Sequence, residues 1–311
     1  MDTLPTAELL PDWIVIDYDA CSGTGRWMLT VARVTYNEEQ RISMSSANPA
    51  QVSQLFIYPL KSGRGIEVDR ATVGDRGFEH DRRWLLVDEF GEFLTQRSLP
   101  RMALIDVALA DGHLTFQAPE MPTLEVPLQP EANELLWVVV WSDRCQSLAL
   151  GPQYDEWFSR FLGITCRLVY MPDETVRPVD PDYAGPEDRV GFADGFPFLV
   201  ISEGSLEFLN QKLEQPVTMA RFRPNIVVRG CQPHAEDHWA RVQIGSVVFA
   251  GVKLCARCKL VMVDPQTAEV FPEPLRTLSH YRRREQGVMF GQNMLAAGRG
   301  TITVGDEVRE D

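Results

Sequence analysis

What most limits the folds open to this chain is the spacing of its short β-branched and aromatic runs. Residues 53–58, 83–88, 92–96, 104–108 and 113–117 each read as a strand, with Glu89-Phe90-Gly91 and Asp111-Gly112 between them as hairpin turns. Short strands at this spacing build small barrels or sandwiches. Residues 135–141 add an apolar strand, and Trp137, Trp141 and Trp157 read as core. Beyond them, strands are expected at 198–201, 225–228, 242–249, 252–254, 260–263 and 301–308, where Gly305-Asp306 reads as a turn. Helices are expected at 155–162, where Trp157, Phe158, Phe161 and Leu162 share a face, and at 274–280. A third is expected from a cap at Ser202 or Ser205 through residue 213. Residues 177–189, rich in proline and acids, read as a long loop, unusual in a compact domain unless it is mobile or lines a site.

The expected class is therefore mainly β (α+β), a small barrel or sandwich in the first half followed by a second half that is also mainly β with a few helices. Residues 1–50 stand apart. Two strands at 14–18 and 27–34 flank Ser22-Gly23-Thr24-Gly25, and a polar tract follows. This is either an added hairpin or sequence preceding a start at Met44.

At 311 residues, 44% hydrophobic and 24% charged, the chain has the composition of a soluble globular protein of about two domains. No apolar run approaches the roughly 18 residues of a membrane span, and no basic segment followed by an apolar core opens the chain. A cytoplasmic location is expected. The net charge of −14 argues against a general nucleic-acid binder, although a basic pocket inside an acidic protein is compatible with it. Six cysteines, scattered except for the last pair, do not form a secreted disulfide pattern.

That last pair carries the chemistry. Leu254-Cys255-Ala256-Arg257-Cys258-Lys259 sets two thiols about a guanidinium, and a thiol beside a fixed positive charge makes a good nucleophile or soft-metal ligand. Structural cysteines, a zinc site completed by His234 and His238, a thioredoxin-like redox pair and a single thiolate on a catalytic metal all compete for it. A redox pair opens a helix, whereas a strand is expected to follow here. His234-Ala235-Glu236-Asp237-His238 lacks the glutamate next to the first histidine that a metalloprotease helix needs, and Pro233 makes it read as a turn. Four other clusters put polar groups on turns beside strands: Pro59-Leu60-Lys61-Ser62-Gly63, Asp81-Arg82-Arg83-Trp84, Phe222-Arg223-Pro224-Asn225 and Phe290-Gly291-Gln292-Asn293. Lys61, Arg82 and Arg223 suit phosphate, and Asn225 and Asn293 suit a heterocycle.

Together with Asp194-Gly195-Phe196-Pro197-Phe198, these clusters occur in the order seen in the MOSC family. More closely, residues 52–308 resemble the amidoxime-reducing proteins that join an N-terminal MOSC β-barrel domain to a MOSC domain, which implies a β-barrel-like domain over 51–150 packed on a MOSC β-barrel domain over 151–311. The resemblance implies a molybdenum cofactor (molybdenum–molybdopterin) between the two domains, with Cys258 as the molybdenum ligand and catalytic centre. It also implies pterin and phosphate contacts from Lys61, Ser62, Arg82, Asp194, Gly195, Arg223, Asn225, Ala256, Arg257 and Asn293. Asn293 stands where the family can carry an aromatic residue, and Ala256 where some relatives have serine, leaving only a backbone contact. The implied reaction is two-electron removal of oxygen from small N-hydroxylated compounds: amidoximes, hydroxylamines and N-hydroxylated bases. No cysteine follows Cys258, so no iron–sulfur cluster is expected after it, and electrons are expected from a separate protein, a ferredoxin or a b-type cytochrome with its reductase. No proton donor is evident; Asp264 is near, but a structural capping role suits it better. The alternative is a sulfur carrier in cofactor sulfuration, with a Cys258 persulfide supplied by a pyridoxal-phosphate-dependent desulfurase.

Overall fold

The computed structural model describes residues 49–131 and 134–310. The strands expected at 14–18 and 27–34 and the start at Met44 lie outside the described residues. Residues Pro49–Asp311 pack as one unit, and the class is mainly β, as expected.

Six strands carry the site and are numbered β1 (Gln51–Ile57), β2 (Trp84–Val87), β3 (Phe198–Ser202), β4 (Ile226–Arg229), β5 (Val247–Arg257) and β6 (Gly287–Ala296). All but β2 belong to a nine-stranded sheet whose path runs Val308–Glu310, Arg241–Ile244, β5, β6, β3, β4, β1, Ile66–Val68, with Arg283–Arg284 on β6. The β3–β4 pair is parallel and its neighbours are antiparallel. Alternation puts Leu55, Ile57, Val200, Ile226 and Val228 into one apolar cluster, and Phe56, Tyr58, Ile201 and Val227 into another. The centre of the sheet is thus buried on both faces, which is why these runs read as nearly continuous hydrophobic stretches.

A second sheet, β2, Arg167–Tyr170, Asp143–Ala149, Glu134–Val140, builds the other lobe. It too is covered on both sides: Trp84 and Leu86 pack with Phe158 and Phe161 of helix α1 (Pro152–Leu162), while Leu85 and Val87 pack with Val138, Val169 and Phe192. Two three-stranded sheets complete the fold, and the strand order of each sheet is an open path rather than a closed ring. Two further helices follow, α2 (Glu203–Asn210) and α3 (Leu275–Tyr281). Ser202 caps α2, its side chain accepting the Ser205 N–H, as the sequence implied; the helix ends at Asn210 rather than at 213.

Several expectations are corrected. Residues 260–263 do not form a strand: Lys259–Met262 is a short 3-10 turn, Val263 makes only a single bridge with Val270, and Asp264 folds back to accept the Gln266 and Thr267 N–H groups. A four-residue apolar run fits either state. Segment 242–249 is split by a turn at Gly245, φ +55°, and 252–254 continues in the same strand, β5. Residues 92–96 make only the single bridges Val87–Phe93 and Glu92–Val139. Trp157 is core, but Trp137, on the edge strand of the second sheet, and Trp141, in the turn just after that strand, are about half exposed, 49% and 48%.

Candidate functional site

Five chain segments end at one place. Leaving β1, Pro59 and Lys61 hydrogen-bond with Trp84 (Lys61 N to Trp84 O 2.9 Å, Trp84 N to Pro59 O 3.0 Å), which ties the first turn to the start of β2. Beside them, Tyr58 N donates to Asp81 Oδ1 at 2.7 Å and Arg82 N to Tyr58 O at 2.8 Å. The third segment, 190–197, enters β3, and the fourth, Phe222–Asn225, enters β4. The fifth is the end of β5, where the register against β6 shifts between Leu254 and Ala256. A bulge there bends the strand and re-aims its side chains just before Cys258.

Backbone strain gathers at the same place. Of eight described non-glycine residues with positive φ, Ser62 (65°), Arg82 (48°), Trp141 (59°) and Arg223 (57°) lie at or beside this cavity. Such conformations cost of order 1–3 kcal/mol each and persist where the surroundings over-determine them. The turns are therefore held by their neighbours rather than by local preference.

All eleven residues singled out from the sequence line this one cavity: Lys61, Ser62, Arg82, Asp194, Gly195, Arg223, Asn225, Ala256, Arg257, Cys258 and Asn293. Cys255 and Arg97 line it as well. Their environments differ. Lys61 is buried, with Nζ 2.6 Å from Asp194 Oδ1 and 2.7 Å from the Phe192 carbonyl. Burial lowers its pKa to about 8 against the opposing pull of Asp194. Asp194 is half open to water; desolvation pushes its carboxyl up, but the Lys61 and Arg97 charges and the Lys61 hydrogen bond outweigh it and hold the group well below the usual carboxylate range. Arg82 and Arg223 both stack on the Tyr58 ring, at 4.1 and 4.3 Å from its centroid. Burial lowers Arg223 to about 10, which leaves it cationic at neutral pH, and raises Tyr58 to about 12.

Arg82 is neutralised by Asp81, its Nη1 lying 2.7 and 2.6 Å from the two carboxylate oxygens. Arg257 donates to the Phe222 carbonyl at 2.6 Å and to Cys255 Sγ at 3.1 Å, while its Nε is buried without a partner. Asn225, by contrast, has its amide engaged with the backbone, donating to Phe56 O and accepting from Leu199 N. Gly195 has no atom within 4 Å of where a Cβ would stand, so the wall is open there. Asp264 is a capping residue, accepting two backbone N–H groups and Arg221 at 2.6 Å. His234 packs edge-on against Phe208 and Phe290. Among the described residues no three of His, Cys, Asp and Glu converge as a metal-holding group.

Three contributors escaped the sequence reading. Tyr58 is the platform for two arginines. Arg177, buried in the 171–197 loop, donates to Asp143 Oδ2 (2.8 Å) and to the carbonyls of Gly191 (2.7 Å), Ala193 (2.5 Å) and Asp194 (3.3 Å), fixing the wall that bears Asp194. The long loop is thus a pinned wall of the site. Arg97 reaches Cys258 from the other lobe, Nη1 to Sγ 3.5 Å. It follows the run at 92–96, so the same signal that picked out Lys61, a cation on a turn next to a strand, was present for it.

The cavity thus gathers five cations, Lys61, Arg82, Arg97, Arg223 and Arg257, against the carboxylates of Asp194 and Asp81, with thiols among them. In a chain of net charge −14 this is a local excess of positive charge, and with a buried unpartnered Arg257 Nε it suits a polyanionic group that also offers something to a soft sulfur ligand.

Comparison with known proteins bears on what that group is. Residues 49–165 match the family described as the MOSC N-terminal beta barrel domain, and residues 187–309 match the MOSC domain. Over 276 residues the chain is 40% identical to mitochondrial amidoxime-reducing component 1 of Mus musculus, covering 83% of this chain and 81% of that protein. It is 36% identical to component 1 of Homo sapiens and 35% identical to component 2 of Homo sapiens, each over 83% of this chain and 82% of the relative.

Proposed function

The chain belongs to the MOSC family, in the group that carries a MOSC N-terminal β-barrel domain before the MOSC domain, and on that premise we propose that it is a molybdenum-cofactor-dependent reductase of N-hydroxylated compounds. The observation that carries the reading is the convergence of a thiol, Cys258, with a cation-rich wall in one cavity built from both lobes.

Cys258 would hold the metal through its sulfur. Lys61, Arg82, Arg223 and Arg257 would hold the phosphate and pterin, with Ser62 and the Ala256 and Gly195 backbone at close approach. When bound, the cofactor supplies a two-electron redox centre suited to oxygen-atom removal. The protein's own part is to bind, orient and exclude water. Tyr58 holds two guanidinium groups at its ring, Asp194 fixes Lys61, and Arg177 fixes Asp194. The overall change balances as R–NH–OH plus two electrons and two protons giving R–NH₂ and water. The electrons come from a separate electron-transfer protein, a ferredoxin or a b-type cytochrome with its reductase.

The test is metal and pterin analysis of the wild type and Cys258→Ala, expressed in a host that makes the cofactor, followed by reduction of an amidoxime with a chemical reductant. Wild type carrying molybdenum and reducing the amidoxime, with activity lost in the variant, is the expected result. Full activity in Cys258→Ala overturns the assignment of the sulfur. Persulfide transfer from Cys258 with no N–O reduction replaces the reductase by a sulfur carrier.

A further inference from the structure

Arg97 is the one cation of the cavity that no motif of the sequence accounts for. Its guanidinium is held on three sides. It lies 4.4 Å from the centroid of the Trp141 ring, its Nη2 is 3.6 Å from Asp194 Oδ1, and its Nε donates to Thr95 Oγ1 at 3.4 Å. Trp141 is itself fixed, with Nε1 donating to the same Asp194 oxygen at 3.2 Å and its ring tilted against Phe93 at 5.1 Å. The remaining arm, Nη1, points at Cys258 Sγ, 3.5 Å away. Arg97 enters from the lobe opposite to the cysteine, so a group that comes within contact of that sulfur lies within a few ångströms of this charge. A guanidinium offers donors but no acceptor.

We propose that Arg97 is a specificity-determining residue, which places a fixed positive charge at the approach to the Cys258 sulfur and thereby admits neutral or anionic reactants and disfavours cationic ones. Joined to the proposed function, on which this part rests, it narrows the substrate class to N-hydroxylated compounds that carry no positive charge near the N–O bond. It also gives product release a direction. An amidoxime is neutral at pH 7 and the amidine formed from it is a cation, so reduction turns an accepted group into a repelled one.

The first arm of the test needs neither cofactor nor activity. In the cofactor-free protein, Cys258 is alkylated with iodoacetate, an anion, and with iodoacetamide, its neutral counterpart, at one pH, and the modified peptide is quantified by mass spectrometry. The ratio of the two rates cancels the ionised fraction of the thiol and reports the local field. Arg97→Gln is expected to lower that ratio about fivefold, the worth of one unit charge at about 4 Å in water, and Arg97→Lys to retain most of it; Arg97→Ala replaces the Gln variant if that one does not fold. In the loaded protein, the kcat/KM preference for a neutral aryl amidoxime over the same compound bearing a trimethylammonium group is expected to narrow by a similar factor in Arg97→Gln. An unchanged alkylation ratio overturns the proposal even if the enzyme reduces amidoximes. A ratio that falls in a protein that reduces nothing upholds the field and removes the reductase.

Discussion

Replacing Lys61 by Met should make the cofactor-free protein more stable, not less. Its side chain is 6% exposed, and its pKa falls from 10.5 to about 8 because burial outweighs the attraction of Asp194. That drop of about 2.5 pH units, at about 1.4 kcal/mol each, amounts to about 3 kcal/mol of penalty for keeping the ammonium in the folded state at pH 7. The figure already contains the Asp194 attraction. Against it stands the Phe192 carbonyl, left without its donor at a cost of about 1–2 kcal/mol. Asp194 itself is 52% exposed and keeps Trp141 and Arg97, so it is not stranded in the way a fully buried partner would be. Lys61→Met is therefore expected to gain about 1–2 kcal/mol in urea denaturation at pH 7. The sign with pH follows from the direction of the shift. Between about 8 and 10.5 the unfolded chain binds the proton that the folded one has released, so wild-type stability rises with pH in that window. The gap to the variant should close there. Urea midpoints at pH 7 and pH 9.5 measure both effects. A variant less stable than wild type at pH 7, or a gap independent of pH, refutes the reasoning and makes Lys61 an ordinary structural ion pair.

Arg223→Gln should reduce cofactor affinity about tenfold or more, the loss of a charge-assisted hydrogen bond, with little change in thermal midpoint, whereas Arg82→Gln should lower both affinity and midpoint because it strands the buried Asp81 carboxylate; pterin released from purified protein measures affinity and calorimetry the midpoint. A collapse of stability with cofactor content intact contradicts the assignment. Arg177→Met should behave opposite to Lys61→Met, losing about 3 kcal/mol or more, because it strands the carbonyls of Gly191, Ala193 and Asp194 together. Urea denaturation and limited proteolysis within the 171–197 loop report it.

Much of this site was legible because function and strand ends coincide. Lys61, Arg82 and Arg223 stand on or next to turns that the alternation of apolar residues marks, and the Cys255–Cys258 pair is conspicuous by spacing alone, whereas Asn293, expected beside a turn, lies within β6 and is paired with Leu199 and Lys253. What stayed hidden depends on long-range placement. Nothing local says that Tyr58, the last residue of an apolar run, will have two arginines on its ring from positions 24 and 165 residues further on. Trp137 and Trp141 look like core by type and by the apolar run they belong to, and only their place on and just after the edge strand of a sheet makes them exposed. The stretch 260–263 is ambiguous for a different reason: four apolar residues do not distinguish period 2 from a single helical turn.

Strain and charge at this cavity point the same way. Three of its lining residues, Ser62, Arg82 and Arg223, hold left-handed backbone conformations, and five cations line it with the carboxylate of Asp194, Arg82 being further paired with Asp81. Each of these features raises the free energy of the cofactor-free fold. The surrounding sheets, buried on both faces, supply the stability that tolerates it. A polyanion entering the cavity would relieve the mutual repulsion of Arg82, Arg223 and Arg257 without moving the backbone, since Tyr58, Phe222 and Gly63 already fix where those guanidinium groups lie. A preorganised site of that kind gains affinity because the ordering has been done during folding rather than at binding. By linkage, the bound group then returns stability to the fold that was strained to receive it.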